Sequence, residues 1–364
     1  MNANRQTPPS SPSPCTPDGL TAAAQGVLTA RQLKALGVSA AVLAEWCRDG
    51  GPWQQVLPQV YVLHQGPPSG EERVRAALLY TGRTSQAHGP HGPLGGARDA
   101  VVTGPAALAL HRFASVPPLR GVPVIDVLVP HQRRLRDAGD VRVHRVRELP
   151  RPVDVGGLPC APVPRALADT VGAVALGGAA GARGGSGDGS GDGSGGADAV
   201  RRLLTEAVRA GHTDPASVLR ELAAAGLLEL PPVAAALPAL REAGRTTAEQ
   251  RLYTMVRCGL LPDPVWNVRL RLPGGPVLGG VDAYWPEHAV AVVVDARTGA
   301  PDDGTVWARA ARQRERLDAL GVTLVHLTPA ELRDAIDEAA SVVRTALLAS
   351  TDRTPAAYVV VTPR

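Results

Sequence analysis

A run of glycine, serine and aspartate between Gly177 and Asp198 divides this chain. The stretch, GGAAGARGGSGDGSGDGSGGAD, holds no large apolar side chain and predicts a flexible coil between two halves. Its Gly-Asp-Gly-Ser repeat is too short in period, and lacks the apolar anchor, for a calcium-binding repeat. Each half must therefore build its own interior. The length of 364 residues fits two or three domains, and a hydrophobic fraction of 44% supplies real cores. Aromatic residues make up only 3%, so Ala, Val and Leu must fill those cores.

Charge and cysteine usage narrow the class. The net charge of +4 permits a polyanionic partner without demanding one. Lys34 is the one lysine; the other basic residues are arginines, which favour bidentate phosphate contacts. Cys15, Cys47, Cys160 and Cys258 are too far apart for a zinc-ligand or redox pair and suggest reduced thiols in a cytoplasm. No apolar run approaches the roughly 18 residues of a membrane span, and no membrane partner is expected. Residues 1–17 read as a disordered Pro/Ser tail without the apolar segment of a signal peptide. No phosphate-binding loop, nucleophile elbow or dinucleotide fingerprint occurs, and no cofactor is expected outside the case considered below.

Residues 18–65 read as three short helices and a hairpin. The helices are Leu20–Gln25, Ala30–Leu36 capped by Thr29, and Ala40–Arg48 capped by Ser39. Trp53–Val56 and Val60–Leu63 alternate around Leu57-Pro58-Gln59. That order is the order of a winged helix-turn-helix. Thr29-Ala30-Arg31-Gln32-Leu33, Gly37-Val38-Ser39 and Gln59-Val60-Tyr61 resemble the N-terminal winged-helix domain of AbiEi-type antitoxins over roughly 45 residues. These belong to type IV toxin–antitoxin systems and repress their own operons. The resemblance implies a recognition helix at Ser39–Arg48 in a major groove and a wing offering Gln54 and Gln55. Phosphate contacts would come from Arg31, Lys34 and Arg48. Base reading favours Arg, Gln or Asn, whereas this helix is rich in Ala. A winged helix used only for protein contacts is therefore the alternative. Trp46 and Trp53 read as core fillers.

Residues 70–176 read as a small α+β unit. Helices are expected at Glu71–Tyr80, Pro105–His111 and Pro164–Val174, the last exposing Asp169, and strands at Val101–Thr103, Val122–Val129 and Val141–Arg147. The stretch resembles the portion that follows the winged helix in the same antitoxins. A Gly/His/Pro loop at Gly82–Ala97 carries His88 and His91, which read as solvated and not as a metal pair. His131, Arg133, Arg134, Arg136, Arg142, His144, Arg145 and Arg147 gather around one strand connection. They form a phosphate-facing patch or a solvated edge that resists aggregation.

Residues 199–243 read as three helices, Ala199–Ala210, Ala216–Ala225 capped by Asp214-Pro215, and Pro231–Ala243. A separate domain is expected at 244–350, with a tail at 351–364. It runs helix Glu249–Cys258, strands Val265–Arg271, Val277–Trp285 and Ala289–Val294, helix Val306–Leu320, strand Val322–Leu327, and one long helix Pro329–Leu348 capped by Thr328. The valine-rich run suits a strand covered on both faces. Asp282 and Asp295 would stand at strand ends, where two acids can hold a cation.

Thr246-Thr247-Ala248-Glu249, Gly280-Val281-Asp282 and Val293-Val294-Asp295-Ala296 resemble very-short-patch-repair-like endonucleases of the PD-(D/E)xK type. Gly321-Val322-Thr323-Leu324-Val325 extends that resemblance to about 100 residues. It implies a restriction-endonuclease-like α/β domain with Glu249, Asp282 and Asp295 as catalytic candidates, Asp282 and Asp295 holding Mg²⁺. Val293 stands where the family has its strand Glu, and Ala296 where it has Gly. Hydrolysis of a phosphodiester needs that missing ligand. Glu249 equally completes a capping box with Thr246, and Asp295 equally suits a turn. Arg309, Arg312 and Arg316 share one helical face, turned to a DNA backbone or balanced by Glu315 and Asp318.

The expected protein is thus an α+β multidomain chain. A winged helix, a small α+β unit and an endonuclease-like domain without turnover follow one another. DNA and a cognate toxin are the expected partners. An Mg²⁺-dependent DNA endonuclease and a protein-interaction scaffold are the alternatives.

Overall fold

The computed structural model describes residues 26–82, 99–181, 192–295, 304–350 and 359–363. The tail at 1–17, the helix expected at Leu20–Gln25, His88, His91 and Cys15 lie outside these residues. The fold is mixed α and β, divided into two compact units, residues 1–170 and 171–364. The coil expected at 177–198 is helical at both ends. One helix runs Val163–Gly181 and the next Asp192–Arg209; residues 182–191 lie outside the described ones. Glycine disfavours helix by about 1 kcal/mol relative to Ala. The buried stripe Val200, Leu203, Leu204, Ala207 and Val208 anchors the second helix all the same.

The first unit opens with β1 (Val27–Thr29), α1 (Ala30–Ala35), α2 (Ala40–Trp46), β2 (Gln54–Leu57) and β3 (Val60–Val62). Thr29 and Gln32 close a capping box on α1, and the Ser39 hydroxyl accepts from Val42 N–H to start α2. Between the helices Gly37 takes φ +89°, a turn that side chains resist. The antiparallel sheet has the order β1-β3-β2. β1 is a strand that the sequence pattern does not reveal. Leu28, Leu33, Val38, Leu43, Trp53, Tyr61 and Leu63 make one small core. Trp46 and Trp53 meet edge to face at 4.5 Å, so both serve packing.

α3 (Gly70–Thr81) follows, started by a Ser69–Glu72 capping box. The Glu72 carboxylate also meets His64 Nε2 at 2.9 Å, joining α3 to the end of the small sheet. Next come β4 (Val101–Thr103), α4 (Gly104–Leu110), β5 (Ile125–Pro130), β6 (Val141–Val146), β7 (Val153–Val155), β8 (Leu158–Cys160) and α5 (Val163–Gly181). The sheet order is β6-β5-β4-β8-β7, with β5/β6 and β4/β8 parallel. The β7–β8 hairpin turns on Gly156-Gly157, both at positive φ. Arg73 locks α3 to this sheet, donating to Asp140 at 2.6 Å and to the carbonyls of Val122 and Pro123. Asp169 is not exposed as expected. It is half-buried and accepts from the Thr103 hydroxyl at 2.5 Å and from Arg165.

The second unit comprises α6 (Asp192–Arg209), α7 (Pro215–Ala224), α8 (Pro231–Cys258), β9 (Val265–Arg271), β10 (Val277–Trp285) and β11 (Val290–Val294). They are followed by α9 (Gly304–Asp318), β12 (Thr323–Leu327), α10 (Pro329–Asp334), α11 (Ile336–Ser350) and β13 (Val360–Pro363). The division expected between residues 243 and 244 falls inside α8, a single helix. The long helix expected at Pro329–Leu348 is two helices, broken at Ala335. The tail expected at 351–364 supplies β13, which pairs with β9.

This sheet has the order β12-β11-β10-β9-β13, parallel only between β11 and β12. Both faces are covered. Trp285, Val290 and Val292 pack with Leu252 and Met255 of α8 and Val343 and Leu347 of α11. Tyr284 and Ala291 pack on the other face with Leu317 of α9 and Val322.

Candidate functional site

The first candidate surface is built on α2. That helix buries Leu43 and leaves Ala40, Ala41, Ala44 and Glu45 exposed, with Ser39 before it and Arg48 after it. Arg31 and Lys34 are exposed on α1. Arg31, Lys34, Ser39, Arg48, Gln54 and Gln55, six of the nine residues expected to touch DNA, lie on one small subdomain, but they are not equally available.

Ser39 spends its hydroxyl on Val42 N–H. Gln54 Nε2 donates to the carbonyls of His64 (3.2 Å) and Gly66, and Gln55 Nε2 to that of Leu57 at 3.3 Å. Both wing amides thus fold back on their own hairpin. The hairpin itself turns at Pro58-Gln59, with Gln59 at φ +64° and its carbonyl accepting from Ala30 N–H at 2.9 Å. The wing tip is thereby tied to the start of α1. Trp53 is 3% exposed, and its indole nitrogen has no partner among the described residues.

The second candidate is the carboxylate pair of the C-terminal sheet. Asp282 is half-buried on β10, and its Oδ2 accepts from Val294 N–H at 2.7 Å. Asp295 follows β11, and its own N–H donates to Leu327 O at 2.8 Å. Val293 packs against the core beneath α9. Glu249 is a half-buried residue inside α8. Thr246 is helical too, so the capping box expected there does not form. Among the described residues no three His, Cys, Asp or Glu side chains gather as a group able to hold a metal ion. Glu249, Asp282 and Asp295 are therefore not brought together as an Mg²⁺ site.

Arg312 and Arg316 lie exposed on α9, as do Glu315 and Asp318; the Arg309 side chain lies outside the described residues. Gln313 of the same helix reaches the sheet, donating to Gly280 O at 3.4 Å. A Cβ at Gly279 would fall 2.1 Å from the Gln313 amide nitrogen, so a side chain there would displace Gln313 from β10.

One polar cluster has no signature in the sequence alone. His144 Nε2 meets Asp126 Oδ1 at 2.7 Å, and Arg142 reaches the same oxygen at 3.8 Å. The hydrogen bond to Asp126 raises the His144 pKa; burial opposes it, and the charges of Asp126 and Asp169 reinforce it. Asp126 lies in an apolar strand and His144 in a basic one, so only their register, Asp126 beside Arg142, reveals the pairing. The Cys160 thiol is structural: burial pushes it up to about 12.

Compared with known proteins, the chain matches no family model and no curated protein. Among the described residues no helix is long and apolar enough to cross a membrane.

Proposed function

We propose that this chain is a cytoplasmic DNA-binding regulator of the antitoxin type, whose C-terminal sheet is a scaffold and not a cutter. In this reading β1, α1, α2 and the β2–β3 hairpin are a winged helix-turn-helix. α2 enters the major groove and the hairpin lies beside it. The observation that carries the reading is the exposed face of α2. A helix of seven residues that buries Leu43 and packs Val42 and Trp46 on the core presents Ala40, Ala41, Ala44 and Glu45 next to a hairpin braced against α1. Its alanines allow close approach to base edges, and Lys34 and Arg48 supply phosphate contacts.

The scaffold half of the proposal rests on two features. A hydrocarbon side chain, Val293, replaces an oxygen ligand, and Asp282 is committed to a backbone amide. With a toxin as second partner, a nucleotidyltransferase reading frame beside this one is expected.

A gel shift on DNA from upstream of the chain's own reading frame tests the proposal. Binding should weaken steeply with salt. Lys34→Ala and Arg48→Ala each remove one cation from a phosphate, and each should flatten the log–log salt slope by about 0.9. No binding at low salt, or binding untouched by both substitutions, would overturn it.

A further inference from the structure

The connection between β5 and β6, with β6 and Arg147 after it, carries more exposed positive charge than α1 and α2 together. Arg134, Arg136, Arg142, His144 and Arg147 are all exposed. The two acids of the connection are already occupied. Asp137 accepts from Val143 N–H at 2.8 Å, and Asp140 accepts from Arg73. Arg134, Arg136 and Arg147 have no ion-pair partner among the described residues, and with Arg142 they outnumber the exposed acids Asp137 and Glu148 of this segment. Asp126 is shared by His144 and Arg142.

The connection is also held in place. Arg145 donates to the carbonyls of Arg133 (2.9 Å) and Leu135. Arg133 donates to Thr81 O at 2.7 Å, and the Tyr80 hydroxyl to Arg136 O at 2.9 Å. Two arginines are therefore used as struts, and the others project from a fixed frame. Among the described residues β6 is an edge strand beside β5. Arg142 and His144, two apart on that strand, both turn to Asp126.

This frame touches the wing. A Cβ on Gly139 would lie 3.2 Å from Leu57 Cδ2 and 3.7 Å from Val56 O of β2, and Gly139 sits at φ +53°. The basic connection and the hairpin are thus neighbours within one compact unit.

We propose that a second nucleic-acid surface, made by the β5–β6 connection and the β6 edge, grips phosphates alongside the wing. This inference rests on the winged-helix reading and names where most of its binding energy arises. A polyanion fits a braced row of arginines that exceeds the acids beside it. It also accounts for a recognition helix so poor in basic residues.

The test uses the full chain and anisotropy of two labelled duplexes, the chain's own upstream DNA and an unrelated sequence, across a salt series. Arg134→Gln/Arg136→Gln and Arg142→Gln/Arg147→Gln are compared with Lys34→Ala/Arg48→Ala, each checked by thermal melting. The proposal expects each Gln pair to flatten the log–log salt slope by about 1.8, equally on both duplexes. Wild-type binding by both Gln pairs, beside a loss in Lys34→Ala/Arg48→Ala, would overturn this surface and leave the α2 reading standing. No duplex binding by the wild type would overturn both. Binding of polyglutamate as tight as binding of duplex would mark the surface as one for an acidic protein and overturn the proposal.

Discussion

Asp282 lies where β9 and β10 change face. Val281 and its partner Val268 pack toward α9, whereas Ala283 and Trp266 pack toward α8 and α11. Between them Asn267 takes φ +52°, a conformation Asn tolerates better than most residues. The Asp282 carboxylate ties down Val294 N–H at this point. Asp282→Ala should then cost about 1–3 kcal/mol, the range for a buried donor left unpaired. It should also speed hydrogen exchange at Val294. A clustered metal-ligand carboxylate would behave in the opposite way, and an apo protein stabilised by Asp282→Ala would contradict the structural role.

His144 and His64 give the first unit a pH dependence. His144 is held up first by its bond to Asp126, and His64 first by its bond to the Gln65 carbonyl, with Glu72 adding to it. A raised histidine pKa contributes stability that is complete below the unfolded value of about 6.5. That stability is lost as pH rises through the folded value. Melting temperatures of the first unit should fall between about pH 6 and pH 8, and His64→Gln/His144→Gln should flatten that trend. An unchanged trend in the double variant would contradict the assignment.

Among the elements, α8 shows what the sequence hid. Gly244 and the Thr246–Glu249 pattern look like the end of one helix and the start of another. The helix runs on because its whole length is packed. Val233, Ala236 and Leu240 are buried in its first half, and Leu252, Met255 and Val256 in its second. Tertiary burial outweighs a local stop signal worth about 1 kcal/mol. Gly244 is small for a steric reason. A Cβ there would lie 2.4 Å from Pro215 Cγ of α7. Gly244→Ala, normally stabilising in a helix, should instead destabilise the second unit in urea denaturation. A gain in stability would show that α7 and α8 do not touch at this point. Leu252→Ala, which empties a site 1% exposed, should cost about 2–5 kcal/mol.

Other elements were plain in the sequence for equally physical reasons. β9 and β10 fall where their alternating patterns place them, and Asp214 caps α7 as its Asp-Pro signal implies. Burial raises the Asp214 pKa, but the Ser217 amide and hydroxyl and Arg333 outweigh it and lower the value overall. Stability from this cap is therefore present above the usual carboxylate range and lost as pH falls through the depressed value. β1 and β13 escape a sequence reading because they are short and pair with strands distant in sequence, β3 and β9, which periodicity does not show. The side-chain uses of Gln54, Gln55 and Asp282 were not legible either. Their partners are backbone atoms, whose positions only the folded chain defines.

For the whole molecule, the chain divides into two compact units at residue 170, ahead of the glycine-rich stretch, and helices run into both ends of that stretch. The net charge of +4 is modest, but the exposed basic residues of the β5–β6 connection and β6 sit in one short segment. Distribution, more than total, therefore decides whether such a chain engages a polyanion. Hydrogen exchange of the full chain, with and without its own upstream DNA, tests the central claim most directly. The account predicts slowed exchange in residues 39–48 and 54–62, with residues 277–295 unchanged. Protection confined to residues 277–295, or no protection anywhere at saturating DNA, would contradict it.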